Sequence, residues 1–164
     1  FIEYIHRIHS YNMLALPPDQ SRRILRIAKL HAANAAIAIL LGHPVESVAV
    51  LLANAIASTS YWSDPRDPSP ERTTDIICVM VGAMYYANMA ARVRKSWVGA
   101  ALFMAIPTAC YVASHKRLME GHMRASTDWW VALHWSVFLS VATTLFSWEQ
   151  KMKKKHMRNE RMIN

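Results

Sequence analysis

The chain has 164 residues, enough for a single domain, and carries a formal net charge of +8. Of its residues 53% are hydrophobic and only 18% are charged, yet the charged residues are concentrated before, between and after long apolar blocks. A soluble helix instead carries polar residues along one whole face. The composition therefore favours a membrane protein. No recognised nucleic-acid motif accompanies the basic residues, which argues against nucleic-acid binding.

The N-terminal region, residues 1–44, predicts amphipathic helices at a membrane interface. Isoleucines recur every three residues between positions 2 and 8, among charged and histidine side chains, which is typical of a short helix lying on a membrane or a partner. A second helix is predicted over 19–41, but its uninterrupted apolar run covers only 32–41. A span needs about 20 apolar residues, so whether 19–41 crosses a membrane stays open.

Four longer apolar blocks predict transmembrane helices. They cover residues 45–62, 74–91, 97–114 and 129–148. A proline-rich loop separates the first two blocks, and no alternating strand pattern occurs anywhere in the chain. We therefore predict an all-α polytopic membrane helical bundle over 45–148, with four spans, or five if 19–41 also crosses, followed by a basic C-terminal tail over 149–164.

The distribution of lysine and arginine bears on that choice. With four spans, 14 of these residues fall on one side of the membrane and 5 on the other, whereas a fifth span gives 10 and 9. Cytoplasmic loops normally carry the excess, so the count favours four spans. In that topology the N-terminal region and the C-terminal tail share a side, and the proline-rich loop lies opposite.

Small residues indicate where the spans pack. Gly82, Ala83, Ala87 and Ala91 lie along the second span, the alanines at intervals of four. Small side chains let membrane helices approach closely, so this stripe is predicted to face another helix.

The basic tail follows a tryptophan at the end of the last span, as a stop-transfer anchor does. Attraction to anionic headgroups is worth about 1 kcal/mol per basic residue near the surface. The predicted headgroup-binding residues are Lys151, Lys153, Lys154 and Lys155.

Three residues form a candidate catalytic set. The alternation of antiparallel spans is predicted to bring Ser60, Asp75 and His134 to one membrane face. Serine, aspartate and histidine can serve acyl transfer or hold a catalytic metal. The ordinary alternative is structural: Asp75 favoured by a helix dipole, and His134 hydrogen-bonded between helices. A bis-histidine haem site is not predicted, since His31 is expected toward the opposite face.

This set resembles the transmembrane hydrolases related to alkaline ceramidases, which use serine, aspartate and histidine at one membrane face. The resemblance implies metal-dependent hydrolysis. That family has seven spans and a His-x-x-x-His pair on the last. Here Phe138 stands four residues after His134, so His115 or His122 would have to supply the second histidine.

The sequence predicts a non-catalytic accessory subunit of a larger membrane complex, with lipids and other subunits as partners. No nucleotide-binding loop, redox motif or metal-ligand spacing is present, and no cofactor or metal is predicted. An organellar inner membrane is one location consistent with this prediction. A small membrane-embedded hydrolase using Ser60, Asp75 and His134 is the alternative.

Overall fold

The computed structural model describes residues 16–66, 68–94 and 97–163. Within these ranges the chain is all-helical, as predicted. The helices are α1 (Pro18–Ala28), α2 (His31–Leu40), α3 (Val45–Ser63), α4 (Pro70–Arg94), α5 (Trp97–Met119) and α6 (Met123–Ile163). The amphipathic helix predicted at positions 2–8 lies outside the described residues.

Glycine and proline set the points where the chain reverses. Gly42, with φ of +67°, follows α2, and Pro44 precedes the first residue of α3. Gly121, with φ of +80°, lies between α5 and α6. Both glycines adopt the left-handed conformation that other residues avoid. Because these two connections are short, α3 runs antiparallel to α2, and α6 runs antiparallel to α5.

The segment predicted as one helix over 19–41 is two helices, α1 and α2, separated by a turn at Lys29 and Leu30. Both belong to the bundle, which differs from the predicted interfacial segment. Their buried apolar residues are Ile24, Ala28, Ala35 and Ala38. These residues recur at three- and four-residue spacing, so they form a stripe that packs against α3 and α6.

Hydrogen bonds fix the direction of this pair beside α6. Gln20 accepts a bond from Thr127, and His43 lies 3.2 Å from the Leu145 carbonyl. The pair therefore runs parallel to α6 over residues 127–145, about 27 Å at the helical rise.

The start of α1 and the C-terminal tail lie at opposite ends of α6, whereas the prediction that the N-terminal region and the tail share a membrane side stays a prediction. Arg23 pairs with Asp128 at 2.7 Å, near the start of α6, whereas the tail follows the far end of the same helix.

Two of the described helices are long and apolar enough to cross a membrane, over Pro70–Val93 and Met123–Arg161. The four predicted spans are therefore not confirmed. In α3, Glu46, Asn54 and a group of hydroxyl side chains near its end interrupt the apolar sequence.

The bundle buries several polar side chains beside its apolar clusters and exposes a large apolar face on α4. Buried polar residues include Asn34, Ser47, Ser58, Ser114, Ser126 and Thr127, each at most 2% exposed. On α4 large apolar residues face outward instead: Ile76, Ile77, Val79, Met80, Val81 and Met84.

Aromatic residues at the end of α3 and near the start of α6 contribute to the interior. Trp62 is only 4% exposed and packs edge-to-face against Trp130, with ring centroids 5.5 Å apart. Tyr61 joins the same cluster, together with Ile24 of α1. The end of α3 is therefore held against α1 and α6 by large rings.

The predicted tail is a continuation of α6, and the helix passes through the proposed boundary at residue 149 without a break. Glu149 pairs with Lys153, and His156 lies 3.1 Å from Glu160. Both pairs have the four-residue spacing that stabilises a helix.

Candidate functional site

Two histidines form a buried pair between α2 and α6. His31 is the first residue of α2, and its Nε2 lies 2.9 Å from Nδ1 of His134, with ring centroids 5.2 Å apart. Both side chains are buried. A hydrogen bond between two imidazoles needs one N–H and one lone pair, so one of the two rings donates and the other accepts. The expectation that His31 lies toward the opposite face is wrong.

Further polar atoms surround this pair without a partner among the described residues. Three such buried atoms are Nε2 of His134, Nε1 of Trp62 and Oδ1 of Asn34, and a fourth, Nδ1 of His43, lies at the turn between α2 and α3. Trp62 stands edge-to-face against His134, with ring centroids 6.1 Å apart. Asn34 donates from Nδ2 to the Phe138 carbonyl at 3.2 Å. Each unsatisfied buried polar group costs about 1–3 kcal/mol. The unpaired atoms can therefore still form hydrogen bonds in this part of the interior.

The histidine pair does not extend to a metal-binding set. In the described part of the chain, no three His, Cys, Asp or Glu side chains lie together as metal ligands would. His115, a candidate second ligand, stacks on Tyr111 with ring centroids 6.4 Å apart. His122 is exposed in the turn before α6. The metal set implied by the ceramidase-related hydrolases is therefore not assembled by these residues.

A second polar pair joins α3 to α4. Ser58 is 2% exposed and donates from Oγ to Oδ1 of Asp75 at 2.5 Å. The serine bonded to Asp75 is therefore Ser58 rather than the predicted Ser60. The two serines differ by two residues, about 200° around a helix, so they face opposite directions.

The predicted catalytic set is consequently divided among three places. Asp75 bonds Ser58, His134 bonds His31, and Ser60 is exposed. Ser60 lines a shallow surface groove of 380 Å³ between α3 and α4. No described bond connects any two members of the set.

The small-residue stripe on α4 lies at varied depths. Gly82 is buried against Asn54, and a Cβ atom built there would lie 2.3 Å from its Nδ2. Ala83, Ala87 and Ala91 are half-buried, and Ala87 packs against the main apolar cluster. The closest approach of α3 and α4 therefore depends on the glycine.

The four tail lysines differ in their surroundings. Lys151 donates from Nζ to the Arg92 carbonyl, at the end of α4. Lys153 pairs with a glutamate on its own helix. Lys154 and Lys155 are exposed and have no ion pair among the described residues.

Comparison with known proteins gives no relative: no family model, curated protein or solved structure matches this chain. The functional argument therefore rests on the residues and contacts described above.

The sequence contained one signal that points to His31. It shares a helical face with Asn34, Ala35 and Ala38, at the three-, four- and seven-residue spacing of a buried stripe. Polar residues interleaved with alanines are typical of contacts between membrane helices. The stripe was missed because the cationic first half of 19–41 was interpreted as interfacial.

Proposed function

We propose that the chain is an integral membrane protein that acts as a non-catalytic accessory subunit, packing against lipid and other subunits. The observation that carries the proposal is the combination of buried polar side chains with the exposed apolar face of α4. A water-soluble bundle would expose its serines, asparagines and histidines and would bury the apolar face of α4. Large contiguous apolar surfaces mark membrane or protein contacts.

Interior hydrogen bonds support the same proposal. Helices in lipid gain little from burying apolar side chains against one another, so polar pairs and close packing hold them together. The described bundle contains such pairs between α2 and α6, between α3 and α4, and between α5 and α6, where Ser114 lies 3.1 Å from Ser126. Each pair removes a polar group from the surface that lipid would cover.

We further propose five crossings. The α1–α2 pair runs beside α6 for about 27 Å, close to the roughly 30 Å thickness of a hydrocarbon core. If α6 crosses, its parallel neighbour crosses with it. The turn at Lys29 and Leu30 lies near the middle of this path. Lys29 and Leu30 donate their N–H groups to carbonyls of α1 and accept bonds from Ala32 and Ala33 of α2, so the turn leaves none of these backbone groups unpaired at that depth.

The alternative hydrolase has less support. Acyl transfer needs the nucleophile and its base within hydrogen-bond reach, about 2.6–3.2 Å. Ser60 is exposed on a surface groove, while Asp75 and His134 are bonded to other side chains. We therefore assign no catalytic role to this set.

Extraction from the native membrane tests the proposal. We expect the chain to stay in the membrane pellet after alkaline carbonate treatment, and to migrate on a native gel in mild detergent as an assembly much larger than one 18.7 kDa chain. Release by carbonate would contradict membrane integration. Migration as a single chain in several mild detergents would contradict the subunit role.

Cysteine labelling tests the number of crossings. With Cys78 and Cys110 replaced by alanine, single cysteines are placed at Arg22 and at Asn159. Five crossings predict that a membrane-impermeant reagent labels them from opposite sides of sealed vesicles. Labelling of both from the same side would restore the four-span topology.

A further inference from the structure

The last part of α6 leaves the bundle as an exposed helical extension. Residues 152–161 are all exposed. The last described hydrogen bond from α6 to another helix is the one from Lys151 to the Arg92 carbonyl. From Lys151 to Arg161 the extension rises about 15 Å. It therefore presents all of its faces to a partner or to water.

Charge is segregated around this extension. With 3.6 residues per turn, four cationic residues fall within an arc of about 120°, here called the cationic face. They are Lys154, Lys155, Arg158 and Arg161. Glu149 and Glu160 lie on the opposite side, where they pair with Lys153 and His156. The acidic residues of the extension are thus turned away from the cationic face, whose members have no ion pair among the described residues.

The height of the cationic face separates it from the membrane surface. The headgroup layer extends about 5–8 Å beyond the hydrocarbon core on each side. We place the edge of the hydrocarbon core at Trp148, three residues beyond the end of the path of about 27 Å along α6. From there Lys151 and Lys153 rise about 5 and 8 Å, whereas Arg158 and Arg161 rise about 15 and 20 Å. The surface field decays within a Debye length of about 8 Å. Headgroups can therefore reach the first lysines but not the whole cationic face.

We propose that the cationic face binds an acidic segment of a neighbouring subunit. The inference rests on the proposed function as a subunit and adds the chemistry of the contact. Four unpaired positive charges at spacings of one, four and seven residues match carboxylates on a helix or an extended segment lying alongside α6. Complementary charge of this kind sets which partner docks and in which register.

Charge reversal on opposite ends of the bundle tests the proposal. K154E/R158E reverses two charges of the cationic face, and K116E/R124E reverses two exposed charges near the other end of α6. The two double variants have the same net charge. We expect K154E/R158E to reduce the assembled fraction on native gels about tenfold and K116E/R124E to leave it unchanged. K154R/R158K keeps both charges and should assemble normally. Circular dichroism confirms that each variant remains helical.

Three results on those gels would separate the hypotheses. Loss of assembly in K154E/R158E alone, together with dissociation of the wild-type assembly by salt, supports the acidic partner. Equal assembly of all variants would overturn it while leaving the subunit role intact. Migration of the wild-type protein as a single chain would refute the subunit role itself.

A separate measurement tests whether the extension of α6 binds lipid. A fluorophore at Asn159 is placed in vesicles of phosphatidylcholine with and without phosphatidylserine, in a chain lacking Cys78 and Cys110. We expect water exposure in both, with no quenching by headgroup-labelled lipid. Quenching that appears only with phosphatidylserine would show the extension lying on the membrane and would overturn the proposal in favour of an anionic lipid surface.

Discussion

The contact between α2 and α6 and the contact between α3 and α4 hold their helices together in different ways. Between α2 and α6, bulky polar side chains form a line: His31 bonds His134, Asn34 bonds the Phe138 carbonyl, and the His43 ring lies 3.2 Å from the Leu145 carbonyl. All three side chains are buried, and atoms on two of them lack a partner among the described residues. Hydrogen-bond satisfaction limits this contact.

Between α3 and α4, polar pairs lie only toward the two ends. Ser47 bonds Tyr86 at 2.8 Å near one end, and Ser58 bonds Asp75 at the other. Between them Gly82 lies directly against Asn54. The available space limits the α3–α4 contact, so we expect added bulk to destabilise it. We expect the α2–α6 contact to be destabilised instead by the loss of polar groups.

Gly82→Leu should give the largest effect. A leucine places several carbon atoms where the first would already lie 2.3 Å from Asn54 Nδ2, so α3 and α4 must separate, at a cost of about 3 kcal/mol from overpacking. Thermal unfolding in detergent measures it. The matched control is Val81→Leu on the exposed face of α4. Equal stability of the two variants would show that volume does not limit this contact.

The double variant Gly82→Ala/Asn54→Ala sharpens the same point. Asn54 donates to the Val50 carbonyl within α3, so moving it aside for a new Cβ breaks that bond. Removing the amide opens the space, and we expect Gly82→Ala to be less costly with Asn54→Ala than alone. Strict additivity of the two changes would contradict the proposed clash.

The histidine pair should give the next largest effect, through lost hydrogen bonding. His134→Leu leaves His31 buried without its partner, which costs about 2 kcal/mol, and His31→Leu does the same from the other side. The double variant should cost less than the sum, because no unpaired imidazole remains. A double-mutant cycle on thermal or denaturant unfolding measures the difference, and a coupling energy near zero would refute the bond.

How far the sequence predicted this arrangement depends on the contact. For α3 and α4 it predicted both helices and placed a small-residue stripe on α4, because small residues at intervals of four leave a regular pattern. It selected Ser60 in place of Ser58, since both lie near the end of α3. Only the rotation of α3 against α4 decides which of the two serines meets Asp75.

For α2 and α6 the sequence predicted less. The charge count assigned the arginines of α1 to one membrane side. Arg23, however, pairs with Asp128 of α6, which is far away in the sequence but adjacent in space. Pairing across 105 residues leaves no local pattern. The length of α6 beyond Trp148 was also missed, because a basic run after a span resembles an irregular tail, whereas ion pairs at four-residue spacing continue the helix.

The serines of α3 provide a smaller test of the α3–α4 contact. Ser58→Ala removes the donor to Asp75 and should cost about 1 kcal/mol, whereas Ser60→Ala on the exposed side should change stability by less than about 0.5 kcal/mol. Both variants remove the same atom from the same helix, so their difference isolates the bond. Equal melting temperatures would show that Asp75 obtains its stabilisation elsewhere.

The smallest expected effect is the pH dependence contributed by His43, at the turn between α2 and α3. Burial lowers the pKa of its imidazole below the ordinary value of 6.5, against the raising effects of the Leu145 carbonyl and the Glu149 charge. In the unfolded chain the same ring takes up a proton near pH 6.5, so the unfolded state binds more protons between that pH and the lower pKa of the folded state. The stabilisation is therefore complete above pH 6.5 and is lost as the pH falls through this window.

His43→Gln isolates that contribution, because glutamine retains an N–H donor for the Leu145 carbonyl and does not titrate. Unfolding free energies measured from about pH 7.5 to about pH 5.5 should fall more steeply for the wild-type protein than for the variant. The α2–α6 histidines are present in both proteins, so the difference between the two curves removes their effect. Parallel curves would mean that His43 titrates alike in the folded and unfolded states. That result would place the turn in contact with water and shorten the buried polar line along α6 to the His31 and Asn34 bonds.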